Sequence, residues 1–177
     1  MKNDYSYIDI KNALLQLDIN KGDIIFCHSN LIPFGIPNKF NSVDDLCKIF
    51  FNSIIEKIGP KGTLIVPTFT YSFSKYRYNK LHSNKEAFDV ANTKSLMGVF
   101  SEYVRKNKYS IRSLDPFYSV SVHGNNSKFF SETNFINSFN EKSLFSKLLN
   151  VDAKILNFNF PGTTLLHYIE RKININY

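Results

Sequence analysis

Asp23-Ile24-Ile25-Phe26-Cys27-His28 and Thr63-Leu64-Ile65-Val66-Pro67-Thr68-Phe69 flank a helical pattern that opens at Ser42-Val43-Asp44-Asp45. The first run sets Ile24 to Cys27 in unbroken apolar succession between turn signals, which suits a strand in a sheet covered on both faces. The second run repeats that reading, and its Pro67, lacking an amide donor, must fall at a bulge, an edge or the strand's end. Between them Leu46, Ile49, Phe50, Ile54 and Ile58 recur at spacings of three and four and stop at Gly59-Pro60. Ser42 and Asp45 make a capping-box-like start in which Asp replaces the usual Glu or Gln. Strand, helix and strand within about 45 residues form a βαβ unit, so both strands run parallel.

Outward from this unit, Ile8, Leu14, Leu15 and Leu17 predict a short amphipathic helix over 8–17. Residues 71–94 are polar and aromatic without a clean period, and connections of that length are usually lids or disordered. Helical spacing resumes at Ser95 and runs to Val104, with Ser95 as the candidate N-cap. Tyr118 to His123 alternates like a half-buried strand, and Ser143 to Leu149 reads as a short helix. Ala153 to Phe158 is a further strand, and Phe160-Pro161-Gly162-Thr163-Thr164 a tight loop into a helix carrying Leu165, Leu166 and Ile169. With no repeat and no linker, residues 1–177 are expected to form one domain.

A hydrophobic content of 43%, with 17 Phe and 10 Tyr in 177 residues, is enough for a core of that size. No apolar run has the length of a membrane span and the N-terminus lacks the apolar segment of a signal peptide, so a cytoplasmic location is the default. Without a secretory signal, Cys27 and Cys47 read as buried thiols rather than a disulfide. Cys27 and His28 point to opposite faces of a strand and cannot form a dyad. The net charge of +7 favours an anionic partner. Because the basic residues are scattered and no nucleic-acid motif is present, a small phosphate-bearing molecule is preferred over nucleic acid.

Chemistry-bearing residues fall where α/β folds bind ligands, at strand ends and helix starts. The first two strands end in Ser29-Asn30 and Thr68-Phe69-Thr70-Tyr71; such residues serve equally as caps and turn formers. Free amides at the start of the Ser95 helix can take a phosphate or a thioester carbonyl. His167 and Glu170 stand three apart on the last helix and share a face. A carboxylate beside an imidazole holds one ring nitrogen as donor and leaves the other to accept a proton, the arrangement of a general base. On an exposed helix the same pair is commonly only solvated.

Six segments in order carry a resemblance: Cys27-His28-Ser29-Asn30-Leu31, Gly62 to Tyr71, Phe88-Asp89, Thr93-Lys94-Ser95-Leu96-Met97-Gly98, Arg112 to Ser119, and Thr164 to Glu170. Together they resemble the aminoglycoside 3-N-acetyltransferases, or antibiotic N-acetyltransferases, over about residues 20 to 170. The resemblance implies an α/β fold with a mixed, largely parallel central sheet flanked by helices. It also implies acetyl-CoA as co-substrate without a metal, and transfer of the acetyl group to an amine of an aminosugar, with neither nucleic acid nor membrane as partner. Residue by residue, it makes His167 the catalytic histidine and Glu170 its partner. It assigns Ser29, Ser95, Met97 and Gly98 to the CoA side. Asn30 and Thr68 are expected on that side too, and Tyr71, Asp89, Glu102 and Asp115 on the acceptor side.

The chain departs from the family pattern at Lys94 and Leu144, where proline is usual, and at Asp115. There, many aminoglycoside-modifying members have His in R-S-x-H-P. The Asp variant is associated with relatives in surface-sugar pathways, which makes a nucleotide-linked aminosugar the alternative acceptor. Family members also continue well beyond the position of Glu170, whereas this chain ends seven residues after it. A C-terminally shortened, non-catalytic CoA-binding remnant is therefore a third expectation.

Overall fold

The computed structural model describes residues 2–3, 5–38, 40–70, 88–133 and 136–175. Most of the irregular connection read over 71–94, including Tyr71 and His82, lies outside the described residues. In chain order the elements are β1 (Lys2–Asn3), α1 (Tyr7–Leu15), β2 (Ile24–Ser29), β3 (Ile36–Pro37), α2 (Val43–Ile58), β4 (Thr63–Pro67) and α3 (Val99–Lys106). They continue with β5 (Ser110–Arg112), β6 (Val120–Gly124), α4 (Ser127–Ser131), α5 (Leu144–Asn150), β7 (Lys154–Phe158) and α6 (Leu165–Lys172).

The main sheet has the order β5-β6-β4-β2-β7, with β1 and β3 forming a separate parallel pair. Strands β4, β2 and β7 are parallel neighbours. Strand β6 is antiparallel to both β4 and β5. Four of the five strands thus point one way, and the sheet is mixed but largely parallel. Pro67 is the last residue of β4, where its missing donor breaks no ladder.

Strand periodicity divides the core in two. Ile25, Cys27, Leu64 and Val66 pack with buried residues of α1, α2 and α3, while Phe26 and Ile65 enter a second cluster with Phe130, Phe145, Leu165 and Tyr168. Both faces of the sheet are therefore covered, which is why β2 and β4 are apolar at successive positions. Both cysteines are free and buried. Burial raises the Cys27 thiol pKa far above its ordinary value and pushes that of Cys47 up to about 12.

Local chemistry fixes the helix starts. Ser42 Oγ accepts the Asp45 N–H at 3.0 Å and donates to Asp45 Oδ2 at 2.7 Å, so the Ser–Asp start of α2 forms as read. The start of α3 differs from the sequence reading. Its N-cap is Gly98, at φ 92°, and not Ser95. A β-carbon on Gly98 would stand 3.5 Å from the Ser29 carbonyl oxygen, in a backbone conformation that glycine alone adopts freely. Ser95 instead makes a local turn, its Oγ accepting the Met97 N–H at 3.1 Å. Sequence reading also missed β5 and α4, which are only three and five residues long. No helix among the described residues is long and apolar enough to cross a membrane.

Candidate active site

Because β4, β2 and β7 are parallel, their ends at Pro67, Ser29 and Phe158 share one edge of the sheet. Three segments converge there. The Asn30 amide donates to the Phe158 carbonyl at 2.8 Å, extending the β2–β7 pairing beyond the strand. The Leu96 amide donates to the Phe69 carbonyl at 2.9 Å, tying the 95–98 segment to the end of β4. The third is the loop into α6, in which Thr163 Oγ1 accepts the Leu165 N–H at 3.3 Å.

On α6, Leu165 and Tyr168 face the core while His167 is exposed. His167 Nδ1 lies 2.9 Å from Glu170 Oε2, with 57% of the histidine side chain and 17% of the glutamate side chain accessible. An ionised carboxylate only accepts, so Nδ1 carries the proton of this bond and Nε2 is left as the accepting nitrogen. The i, i+3 spacing alone dictates this contact once α6 forms.

A groove of about 740 Å³ runs between the start of α2 and α3. Ser95, Leu96, Gly98, Glu102, Tyr103 and Lys106 are among its lining residues. The Gly98 cap offers no side-chain acceptor, so the first amides of α3 keep their donors. Glu102 is neutralised in place: Oε1 pairs with Arg105 Nη2 at 2.8 Å, and Oε2 accepts the Ser95 N–H at 3.0 Å. Its carboxyl pKa lies below the ordinary value even though burial, the largest single influence, acts the other way; hydrogen bonds from Arg105 and Ser95 outweigh it. Ser29 Oγ is buried without a hydrogen-bond partner among the described residues.

Other predicted residues take different positions. Thr68 is fully buried: its carbonyl accepts Arg112 Nη2 and Ser119 Oγ, each at 2.7 Å, so it belongs to the core beneath the edge rather than to an open surface. Asp89 caps a turn, accepting the Ala91 and Asn92 amides at 2.8 and 3.0 Å. Asp115, expected at the acceptor, is 4% exposed. Its Oδ1 accepts the Phe117 and Tyr118 amides at 2.8 and 2.9 Å, and its Oδ2 accepts the Ser138 hydroxyl at 2.5 Å. This is an Asx-type turn, a structural task that the Asp115-Pro116 sequence already signals.

Two residues carry more of this edge than their sequence context suggests. Arg112, at the end of β5, donates to the carbonyls of Thr68, Thr93 and Val90 at 2.7, 2.5 and 3.3 Å and stacks 4.9 Å from the Phe88 ring. It thereby fastens residues 88–93 to the end of β4. Burial, with Arg105 nearby, pulls its pKa down to about 10. His28, on β2, is 1% exposed, and its Nε2 faces both polar groups of Thr164. Burial pushes its pKa down to about 4.

The family model for aminoglycoside 3-N-acetyltransferases matches residues 38–177. This chain belongs to that family. Among solved structures, the CoASH-bound binary complex of AAC-IIIb has a TM-score of 0.79 at 20% identity, covering 96% of this chain and 65% of that one. AAC-VIa bound to sisomicin has a TM-score of 0.80 at 20% identity, covering 95% and 65%. YokD protein from Bacillus subtilis has a TM-score of 0.79 at 20% identity, covering 94% and 70%. These likenesses establish the fold. The chain spans just under two thirds of the length of the first two. No curated protein matches the sequence.

Proposed function

We propose that this chain is an acetyl-CoA-dependent N-acetyltransferase acting on an amine of an aminosugar, with His167 as general base. The observation that carries the reading is the exposed His167–Glu170 pair, at 2.9 Å, beside the edge where β2, β4 and β7 end. Family membership and the CoASH named in the AAC-IIIb structure support it.

An amine is protonated near neutral pH and must lose a proton to attack a carbonyl. His167 Nε2 takes that proton, and Glu170 pairs with the imidazolium that results. Acetyl-CoA would supply the acyl group already activated as a thioester. As the new C–N bond forms and the C–S bond breaks, the proton held on His167 goes to the departing sulfur, and the second proton shed by the nitrogen passes to solvent. Residues Ser29, Asn30, Ser95, Met97 and Gly98 frame the donor side. The groove suits that donor: Gly98 is among its lining residues, and it opens on amides at the start of α3, which favour an anionic ligand. Ser29 Oγ is a candidate hydroxyl donor to the developing oxyanion.

The deciding experiment offers acetyl-CoA with either aminoglycosides or nucleotide-linked aminosugars and follows free CoA, alongside calorimetric titration of acetyl-CoA. Release with aminoglycosides is the expected result. Release only with nucleotide-linked sugars would move the acceptor to surface-polysaccharide precursors. Binding without turnover on either class would reduce the chain to a CoA binder.

A further inference from the structure

We infer that His28 is a positioning residue: its imidazole caps the start of α6 from the strand next to β7 and so sets where His167 stands. The inference rests on the reading of His167 as the base.

The first amides of a helix lack intrahelical acceptors, and a nearby Ser, Thr, Asp or Asn side chain usually meets one of them. Thr164 occupies the N-cap position of α6 but its hydroxyl makes no cap bond to the helix. Its own N–H points instead to His28 Nε2 at 3.3 Å, 136 residues away in sequence, and its Oγ1 lies 3.2 Å from the same nitrogen. A backbone N–H can only donate. Nε2 must therefore be the accepting nitrogen, and the ring is neutral with its proton on Nδ1. A charged ring would turn a donor towards a donor and undo the contact.

The surroundings hold the ring in that state and orientation. Phe160 stacks on it at 5.4 Å and 13°, and Phe26 meets it edge-on at 4.5 Å. Nδ1 is buried without a partner among the described residues, so no second bond competes for the ring's orientation. The consequence for His167 follows from the economy of α6, which has eight residues and buries only Leu165 and Tyr168. Two apolar anchors on one face resist sliding weakly, whereas a directional bond at Thr164, three residues before His167, fixes the helix along its axis.

Three forms of the full chain test this: wild type, His28→Phe, which keeps the stacked ring without an acceptor, and His28→Gln, which places an amide oxygen near Nε2. His28→Phe should lower kcat by about 10- to 100-fold, as small misplacements of a base do. The KM for acetyl-CoA should stay within about twofold, and His28→Gln should recover kcat to within about threefold of wild type, since its amide oxygen can accept the same N–H. Equal kcat in all three, or equal loss in both variants with both folded, overturns the inference. Imidazole nitrogen NMR and amide exchange give an answer independent of turnover. The expected spectrum is a neutral Nδ1–H ring, with protection of the Thr164 amide lost in His28→Phe and kept in His28→Gln. An Nε2–H ring overturns the cap even in an active enzyme, while a correct cap in a chain without turnover overturns only the role of His167. Should His28→Phe fail to fold, the tautomer in wild type and the kcat of His28→Gln still decide.

Discussion

The starts of α3 and α6 meet the same edge of the sheet but are held in opposite ways. Residues 88–98 are fastened by several polar bonds: two from Arg112, which also bonds Thr68, one between Leu96 and Phe69, and the Ser95–Glu102 contact. The start of α6 has a Thr163–Leu165 turn and the His28–Thr164 contact, above two buried side chains. If the groove holds the donor as proposed, its redundant bonds mean that losing one weakens binding or stability. If His167 is the base as proposed, the few bonds at the start of α6 mean that losing one changes the rate. The two regions should therefore fail differently.

The largest expected effect lies on the α6 side. His167→Ala should lower turnover by about two to four orders of magnitude. Because the side chain is largely exposed, its melting temperature should stay at the wild-type value. CoA release and a thermal melt check both halves, and an unchanged rate would remove His167 from the chemistry.

The next effect concerns pH. The folded pKa of His28 is about 4, against 6.5 when unfolded, so the unfolded chain binds the extra proton between those values. The neutral buried ring therefore costs nothing above about pH 6.5 and weakens folding as pH falls towards 4, by up to about 3 kcal/mol. Urea titrations across this window should show the slope in wild type, and a flatter one in His28→Gln. Identical slopes would mean that the ring is not buried neutral.

On the groove side, Arg112→Met removes donors from the carbonyls of Thr68, Thr93 and Val90 and should cost about 2–3 kcal/mol in urea unfolding. It should raise the KM for acetyl-CoA more than it lowers kcat. The reverse split would erase the contrast between the two regions. The smallest effect is Gly98→Ala, which forces a side chain into the left-handed conformation beside the Ser29 carbonyl. A loss of about 1 kcal/mol with weaker acetyl-CoA binding by calorimetry is expected.

What was readable locally and what was not divides along the same lines. The Ser42–Asp45 start, the spacing of α2 and the place of Pro67 follow from neighbours within a few residues. The His167–Glu170 contact does too, since one helical turn brings the two together. Ser95 was misread as a cap because intrinsic preference favours Ser over Gly there. The actual cap answers to the φ of 92° that the backbone takes at Gly98, which glycine adopts freely. The resemblance places Asp115 at the acceptor side, and its own Asp-Pro signal accounts for the buried turn that it makes. Strand β5 is too short to carry a period, and only its pairing with β6 makes it a strand.

The sequence by itself determined an α/β chain with a buried parallel unit, its strand-end hydroxyls and the imidazole–carboxylate pair, because periodicity and capping act within one or two turns of chain. Only the tertiary structure decided that Arg112 fastens the groove wall, that Thr68 and Asp115 are turned inward, and that His28 is neutral and caps a helix 136 residues away. Those roles depend on which buried donors meet which buried acceptors, and such pairings are set by sheet order rather than by neighbours in sequence.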